Sequence, residues 1–458
     1  MNEIKEKCGL FALCGQFDNS IGEKCYRGLR ALQHRGQESA GAVIIDAMPT
    51  LIKARGLVQD VFARVNDLAD YGGKIALGHV RYGQEYETDR ETQPIVINSS
   101  LGDIFLAYNG CISNCGELIA DLPQSILSEY DRITDIECVG YTLSQILARG
   151  NDVVAALKEL LATVKGAYCI IAVLQNVVYC VRDRYGFRPL CYGRTSTRQF
   201  VFASETCALS AVGASVEGEI RPGEIVVCDG KDILFDSEFC GKVPQSLCCF
   251  EYFYFADGNS VVGSKSVAEI RCKAGRLLAR KDPVPCDMVI GVPDSGIDAA
   301  KGYAKEAKLP YGEGFVRSKN VHRTFIVPNQ QEREKLVQAK LSAIPSVVDG
   351  KEIVVVDDSI VRGTTAMHIV KLLRDAGAKK VHLRICSPKF IYDCPYGTDI
   401  GRRETLIAYN RTTEEIARII GADSLGYLEP SDIDLLTGGG FSTVCKACFD
   451  GKYPNAKE

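Results

Sequence analysis

The chain has 458 residues, 46% of them hydrophobic, which is enough for two or three domains with proper cores. A formal net charge of −4, with 24% charged residues, leaves no general basic field of the kind that binds nucleic acid. No apolar run approaches the roughly 20 residues needed to span a membrane, and Met1 to Lys7 are too polar for the core of a signal peptide.

Cys8-Gly9-Leu10-Phe11-Ala12-Leu13-Cys14-Gly15 predicts a strand that opens on a cysteine and a glycine. Downstream stand Leu32-Gln33-His34-Arg35-Gly36-Gln37-Glu38-Ser39-Ala40-Gly41, Gly78-His79-Val80-Arg81-Tyr82, Tyr108-Asn109-Gly110 and Thr134-Asp135-Ile136-Glu137. Singly each is unspecific; Asn-Gly, for instance, usually marks a turn. Together they offer a thiol, two arginines, a turn with exposed amide N–H groups and a carboxylate. That set suits attack on the side-chain amide of a bound amino acid.

In order and spacing these segments resemble the glutaminase domain of class II glutamine amidotransferases. Those domains are N-terminal-nucleophile hydrolases, built as a four-layer α/β/β/α sandwich. The resemblance implies that residues 1–7 are a cleaved propeptide and that Cys8 becomes the first residue of a domain over 8–235. Its freed α-amino group, with a pKa of about 7.7–8.0, would accept the thiol proton near neutral pH. Carried over by position, Cys8, Asn109 and Gly110 are catalytic, the last two supplying an oxyanion hole. Arg81 would bind the glutamine carboxylate and Asp135 its α-ammonium, while Arg35 would help order the glutamine site. Two positions depart from the family pattern. Gly83-Gln84-Glu85-Tyr86-Glu87 replaces a threonine and a glycine-rich run, so the pocket rim should differ, and Tyr108 stands where a histidine often precedes Asn-Gly.

Met288-Val289-Ile290-Gly291-Val292-Pro293-Asp294-Ser295-Gly296 predicts a strand, a tight turn and a helix from about Ile297. Glycine and serine in such a turn let backbone N–H groups close on a pyrophosphate. A cationic stretch follows, Arg317-Ser318-Lys319-Asn320-Val321-His322-Arg323-Thr324-Phe325-Ile326. Next, Ile353-Val354-Val355-Val356 reads as a buried strand ending on Asp357 and Asp358. The polar loop Ser359-Ile360-Val361-Arg362-Gly363-Thr364-Thr365 leads into a helix with Ala366, Ile369, Val370 and Leu373 on one face and Gly377 at its stop. Free N–H groups and the helix dipole at that loop hold phosphate. The two acids suit sugar hydroxyls or a phosphate-bound Mg²⁺. A phosphorylated sugar with a metal nearby is the ligand these residues describe.

This run resembles the phosphoribosyl pyrophosphate (PRPP) signature of type I phosphoribosyltransferases, an α/β fold with a parallel sheet. The resemblance implies PRPP contacts from Asp294, Ser295, Asp357, Asp358, Ser359, Arg362, Gly363, Thr364 and Thr365, with Ser295, Asp357 and Asp358 around Mg²⁺. Lys319 and Arg323 would belong to a mobile lid that covers the pyrophosphate and excludes water.

Without an export signal, the 20 cysteines should stay reduced in a cytoplasmic protein, most of them filling core space as small hydrophobes. Cys445-Lys446-Ala447-Cys448 is a CxxC, and with Cys248 and Cys394 it makes four thiolates able to hold a [4Fe–4S] cluster or a Zn²⁺. Spacing alone does not separate the two. All four match, by position, the iron–sulfur ligands of one branch of the glutamine PRPP amidotransferases, which implies the cluster and leaves Cys249 spare.

From Cys8 to about Pro454 the chain resembles that amidophosphoribosyltransferase family, in its iron–sulfur branch. The resemblance implies a glutaminase domain over 8–235, a phosphoribosyltransferase domain over 255–440 and a segment 441–458 bearing cluster cysteines. It also implies that ammonia from glutamine travels through an internal channel to C1 of PRPP, giving 5-phosphoribosylamine for purine biosynthesis. A homotetramer inhibited by purine nucleotides completes what the family implies. The PRPP signature excludes the class II enzymes of glucosamine-phosphate or asparagine synthesis. The alternative is a PRPP-sensing iron–sulfur regulator whose glutaminase site has degenerated.

Overall fold

The computed structural model describes residues 8–64, 68–82, 89–128, 132–317, 341–438 and 442–454. The expected propeptide 1–7, the pocket rim 83–87 and the lid residues Lys319 and Arg323 lie outside the described residues. The chain divides into two compact units. One runs to Leu247 and includes Pro395–Thr398; the other holds Cys248–Cys394 and the residues from Asp399 on.

In the first unit, seven strands form one antiparallel sheet in the order Ala214–Glu219, Cys191–Thr195, Phe200–Ala203, Gly9–Asp18, Gly73–Arg81, Ser39–Ile45 and Pro49–Arg55. Six more form a second, in the order Ile233–Asp236, Ile225–Cys228, Val177–Arg182, Gly166–Leu174, Gly102–Ile112 and Ile95–Ser99. Side chains alternate faces along each strand, and that alternation builds the layers. Leu10, Ala12 and Cys14 turn inward and pack with Leu77, Ala107, Ile171 and Val226 between the sheets. Phe11 and Leu13 turn outward against Ile21, Cys25 and Leu29 of the helix Ile21–Ala31. On the far side, Leu106 and Ile170 bury the helices Asp135–Ala148 and Val153–Thr163. The result is the α/β/β/α sandwich the resemblance implies. Each fully buried Leu, Ile or Phe contributes about 1.5–3 kcal/mol. Cys14, Cys169, Cys180 and Cys228 fill the inter-sheet layer, as small core hydrophobes should.

The second unit centres on five parallel strands in the order Tyr311–Gly312, Met288–Gly291, Glu352–Asp357, Lys380–Ile385 and Ser424–Tyr427. Ile353 to Val356 are wholly buried because helices cover both faces of a parallel sheet. The helix Thr364–Asp375 buries Ala366, Ile369, Val370 and Leu373, the face its sequence period predicts. Chain order reverses between Met288–Gly291 and Glu352–Asp357: the connection from the former leads to one side of the sheet, and later strands build out the other. Open α/β sheets bind ligands at such a reversal, beyond the carboxyl ends of the strands. No helix among the described residues is long and apolar enough to cross a membrane.

Candidate active sites

In the first unit, Cys8 is buried at the head of strand Gly9–Asp18, its backbone in the left-handed region with φ 48°. Arg35 is fully buried; its Nε donates to the Cys8 carbonyl at 3.2 Å, and Nη1 to Glu205 Oε1 at 2.6 Å. His34 Nε2 meets the same carboxylate oxygen at 2.8 Å. This buried arginine therefore fixes the backbone of Cys8. Arg81 ends strand Gly73–Arg81, half-buried, and is ion-paired with Glu91.

Asn109 and Gly110 sit where the six-stranded sheet loses its edge partner. Strand Ile95–Ser99 pairs with the neighbouring strand only as far as Leu106. At Tyr108 two side chains replace it: Gln93 Oε1 accepts from the backbone N–H at 2.7 Å, and His79 Nε2 lies 3.1 Å from the carbonyl oxygen. In an antiparallel ladder, residues two apart point their N–H groups to the same edge, so the Gly110 N–H faces this open side. A Cβ at position 110 would fall 2.0 Å from the Ala167 carbonyl oxygen, so only glycine fits. The Asn109 side chain is fully buried, and neither Nδ2 nor Oδ1 has a hydrogen-bond partner among the described residues. A buried amide without a partner costs about 1–3 kcal/mol, and an incoming oxyanion would remove that cost.

Asp135 begins its helix behind a capping box: Thr134 Oγ1 accepts from the Glu137 N–H, and Glu137 Oε2 accepts from the Thr134 N–H at 2.9 Å. The Tyr108 hydroxyl lies 3.2 Å from Asp135 Oδ2 and 2.7 Å from the Gly110 carbonyl oxygen. Burial pushes that phenol well up, reinforced by Asp135, Cys111 and Cys8, so Tyr108 stays a neutral donor. Tyr108, Cys8, Asp135 and Arg81 thus share one electrostatic neighbourhood.

In the second unit, the turn Pro293-Asp294-Ser295 follows one central strand and Asp357-Asp358 ends the next. The Pro293–Asp294 peptide bond is cis. Arg317 Nη1 donates to Asp294 Oδ2 at 2.6 Å. Ser295 Oγ donates to Asp358 Oδ2 and Ser359 Oγ to Asp358 Oδ1, while the Asp358 N–H donates to Asp357 Oδ1 at 2.9 Å. Both acids are buried, and two adjacent carboxylates at a phosphate loop repel their ligand unless a hard cation stands between. Gly363 caps the helix Thr364–Asp375 with φ +84°, and a Cβ there would fall 2.3 Å from Ile407 Cδ1. Thr364 is exposed and Thr365 and Arg362 are half-buried, so the helix start is open to solvent.

The four predicted cluster cysteines also gather. The Cys249 N–H donates to the Cys445 carbonyl at 3.1 Å, and the N–H groups of Ile391 and Tyr392 donate to the Cys448 carbonyl, each at 3.1 Å. Burial pushes the Cys448 thiol up, and so do Cys249, Cys394, Cys248 and Cys445 around it. Cys248, Cys394, Cys445 and Cys448 are half-buried, while Cys249 is fully buried. Among the described residues, no group of three or more His, Cys, Asp or Glu is drawn tight enough to hold a metal ion. Neutral thiols have no reason to converge; thiolates converge on a metal. Number and ligand type fit either a cluster or zinc.

Sequence reasoning missed Glu205, the anchor of Arg35, and also Gln93 and His79. Glu205 lies 170 residues from Arg35 in sequence, and nothing local in Ser204-Glu205-Thr206 signals the pairing.

Known proteins share both domain types with this chain. A glutamine amidotransferase domain family matches residues 79–211, and a phosphoribosyl transferase domain family matches residues 265–386. Amidophosphoribosyltransferase of Methanocaldococcus jannaschii is 40% identical over 98% of this chain and 97% of its own length. The chloroplastic amidophosphoribosyltransferase 1 of Arabidopsis thaliana is 41% identical over 98% of this chain and 79% of its own. Among solved structures, the glutamine PRPP amidotransferase of B. subtilis complexed with ADP and GMP superposes with a TM-score of 0.87 at 38% identity, covering 98% of this chain and 97% of that one. With two catalytic domain types in one chain and these identities along almost all of it, the protein belongs to the amidophosphoribosyltransferase family.

Proposed function

We propose that the chain runs its family's reaction at two sites, releasing ammonia from glutamine at Cys8 and passing it to C1 of PRPP. The products are 5-phosphoribosylamine, pyrophosphate and glutamate, in the first step of de novo purine biosynthesis. In a glutaminase domain over 8–235, loss of the propeptide exposes an α-amino group that takes the Cys8 thiol proton. The thiolate attacks the amide carbon, ammonia leaves, and water hydrolyses the thioester. Asn109 Nδ2 and the Gly110 N–H hold the oxyanion. Arg81 takes the substrate carboxylate, Asp135 takes the α-ammonium, and Arg35 orders the backbone of Cys8. The buried, unpartnered Asn109 amide is the observation that carries this half.

In a transferase domain over 255–440, N–H groups around Ser295 and at the start of helix Thr364–Asp375 receive the PRPP phosphates. Asp357 and Asp358 face the ribose hydroxyls, with Ser359, Arg362, Gly363, Thr364 and Thr365 closing the phosphate cradle and Asp294 beside it. Mg²⁺ held by Ser295, Asp357 and Asp358 would neutralise charge on the departing pyrophosphate. Lys319 and Arg323 act as lid cations. Cys248, Cys394, Cys445 and Cys448 hold a [4Fe–4S] cluster with a structural role, because neither half-reaction moves electrons. The ADP and GMP complex of the B. subtilis relative supports purine nucleotides as feedback inhibitors, acting on a cytoplasmic homotetramer.

Cys8→Ala tests the two-site assignment. Glutamine-dependent synthesis should vanish while ammonia-dependent synthesis persists, and equal loss of both would overturn it.

A further inference from the structure

We infer that His79 is a positioning residue for the oxyanion hole, a fixed donor that holds the peptide unit carrying Asn109. The inference rests on the glutaminase reading of Asn109 given above. His79 pairs with Leu10 on one side and with Gly41 on the other in the seven-stranded sheet. Leu77, two residues earlier, packs into the layer between the sheets, so by alternation His79 faces that layer too. Ala107 faces it from the opposite sheet, and by the same alternation so does Asn109. His79 Nε2 bridges the layer to the Tyr108 carbonyl at 3.1 Å, on the peptide unit that ends at the Asn109 nitrogen. On the edge away from Gly166–Leu174, no described strand reaches this stretch, since pairing with Ile95–Ser99 ends at Leu106. Strand Gly166–Leu174 ties the Asn109 side of that peptide to the ladder, and on the open edge His79 is the partner that holds its carbonyl.

A carbonyl only accepts, so Nε2 carries the proton and Nδ1 is bare. Nδ1 is buried with no hydrogen-bond partner among the described residues. A second proton would create a buried N–H with nothing to bond. Burial, and after it the Arg81 charge, push the imidazole down to about 3, so His79 neither donates nor accepts protons during turnover at neutral pH. Its contribution is geometric. Turning the peptide plane would swing Asn109 Nδ2 away from the position where the oxyanion forms.

The test compares His79→Leu, which removes the donor, with His79→Gln, whose amide N–H can occupy the place of Nε2–H. For His79→Leu, kcat for glutamine hydrolysis should fall about 10- to 100-fold, less than the roughly 100- to 1,000-fold loss of a whole oxyanion donor. KM for glutamine should stay within about twofold, the signature of an interaction made only in the transition state. Ammonia-dependent synthesis in the same preparation should persist, and His79→Gln should recover most of kcat. If His79→Leu does not fold, His79→Asn replaces it, because its shorter amide cannot reach the carbonyl. Unchanged kcat, or a loss shared by KM and the ammonia reaction, would overturn the inference. Asn109→Ala is measured alongside: if it keeps full kcat, the oxyanion reading fails. If it loses kcat while His79→Leu does not, only the positioning role fails.

Discussion

Ser295 Oγ donates its hydrogen bond to Asp358 Oδ2, joining the turn after strand Met288–Gly291 to the acid pair that ends strand Glu352–Asp357. The two loops meet where the chain order of the sheet reverses, so backbone donors and carboxylates converge on one point. Ser295 also precedes helix Gly296–Ala307. A single hydroxyl therefore links the turn Pro293-Asp294-Ser295 to the acid pair Asp357-Asp358.

Asp357→Asn removes one of those charges and keeps the shape. A hydrogen bond to a charged group contributes about 1.5–3 kcal/mol, so kcat/KM for PRPP should fall roughly 10- to 150-fold. The fall should appear with glutamine and with ammonia alike. Normal PRPP kinetics in the variant would remove Asp357 from the site.

Gly110→Ala should damage folding as well as activity. Its Cβ would stand 2.0 Å from the Ala167 carbonyl oxygen and 2.7 Å from Tyr168 Cα, both rigid backbone atoms. Overpacking of this kind costs about 1–3 kcal/mol. Thermal unfolding should show a lowered Tm; wild-type stability in the variant would mean that the strand shifts freely at this position.

His79 also gives a pH signature. Its imidazole is pushed from 6.5 to about 3 by burial and then by Arg81. Above pH 6.5 it is neutral in both folded and unfolded chains, and its contribution is fully present. As pH falls below 6.5 the unfolded chain takes up a proton that the folded chain refuses until about pH 3. Stability drops across that window by at most about 1.4 kcal/mol per pH unit. Asp183, pushed up to about 6 by burial, acts in the opposite sense: it favours the folded chain below pH 3.8 and loses that effect as pH rises through 6. That contribution is common to wild type and His79→Gln. Denaturant unfolding at pH 7 and pH 4.5 should therefore show a smaller acid loss in His79→Gln, and equal losses would mean that His79 titrates normally.

Cys448→Ser should lose both iron and sulfide by chemical analysis of protein purified without oxygen. Cys249→Ser should keep them, because Cys249 is fully buried in the core beside the four. Stoichiometric zinc in the wild type, with no sulfide, would replace the cluster by a Zn²⁺ site.

Much of this was legible in the sequence because it is local. Four branched residues, two acids, a polar loop and a 3.6-residue period define the second-unit strand, its carboxylates and the helix Thr364–Asp375 without any distant partner. The same holds for Asp135, since Thr134 and Glu137 mark their own helix start. What escaped depends on residues far apart in sequence. Arg35 is expected at the glutamine site by resemblance, but nothing local shows that Glu205 draws it wholly inside. Gln93 and His79 carry no local mark of their task, because that task exists only where Ile95–Ser99 ceases to pair. The grouping of the CxxC with Cys248 and Cys394 came from the family resemblance, because no local pattern joins segments so far apart in sequence.

Glutamate release from glutamine, measured with and without Mg²⁺–PRPP on protein purified without oxygen, tests the two-site reading most directly. Strong stimulation by PRPP, with pyrophosphate formed in step with glutamate, is the predicted result. No glutamate under either condition, from protein shown by mass to begin at Cys8, would contradict it and leave a PRPP-binding protein without a working glutaminase.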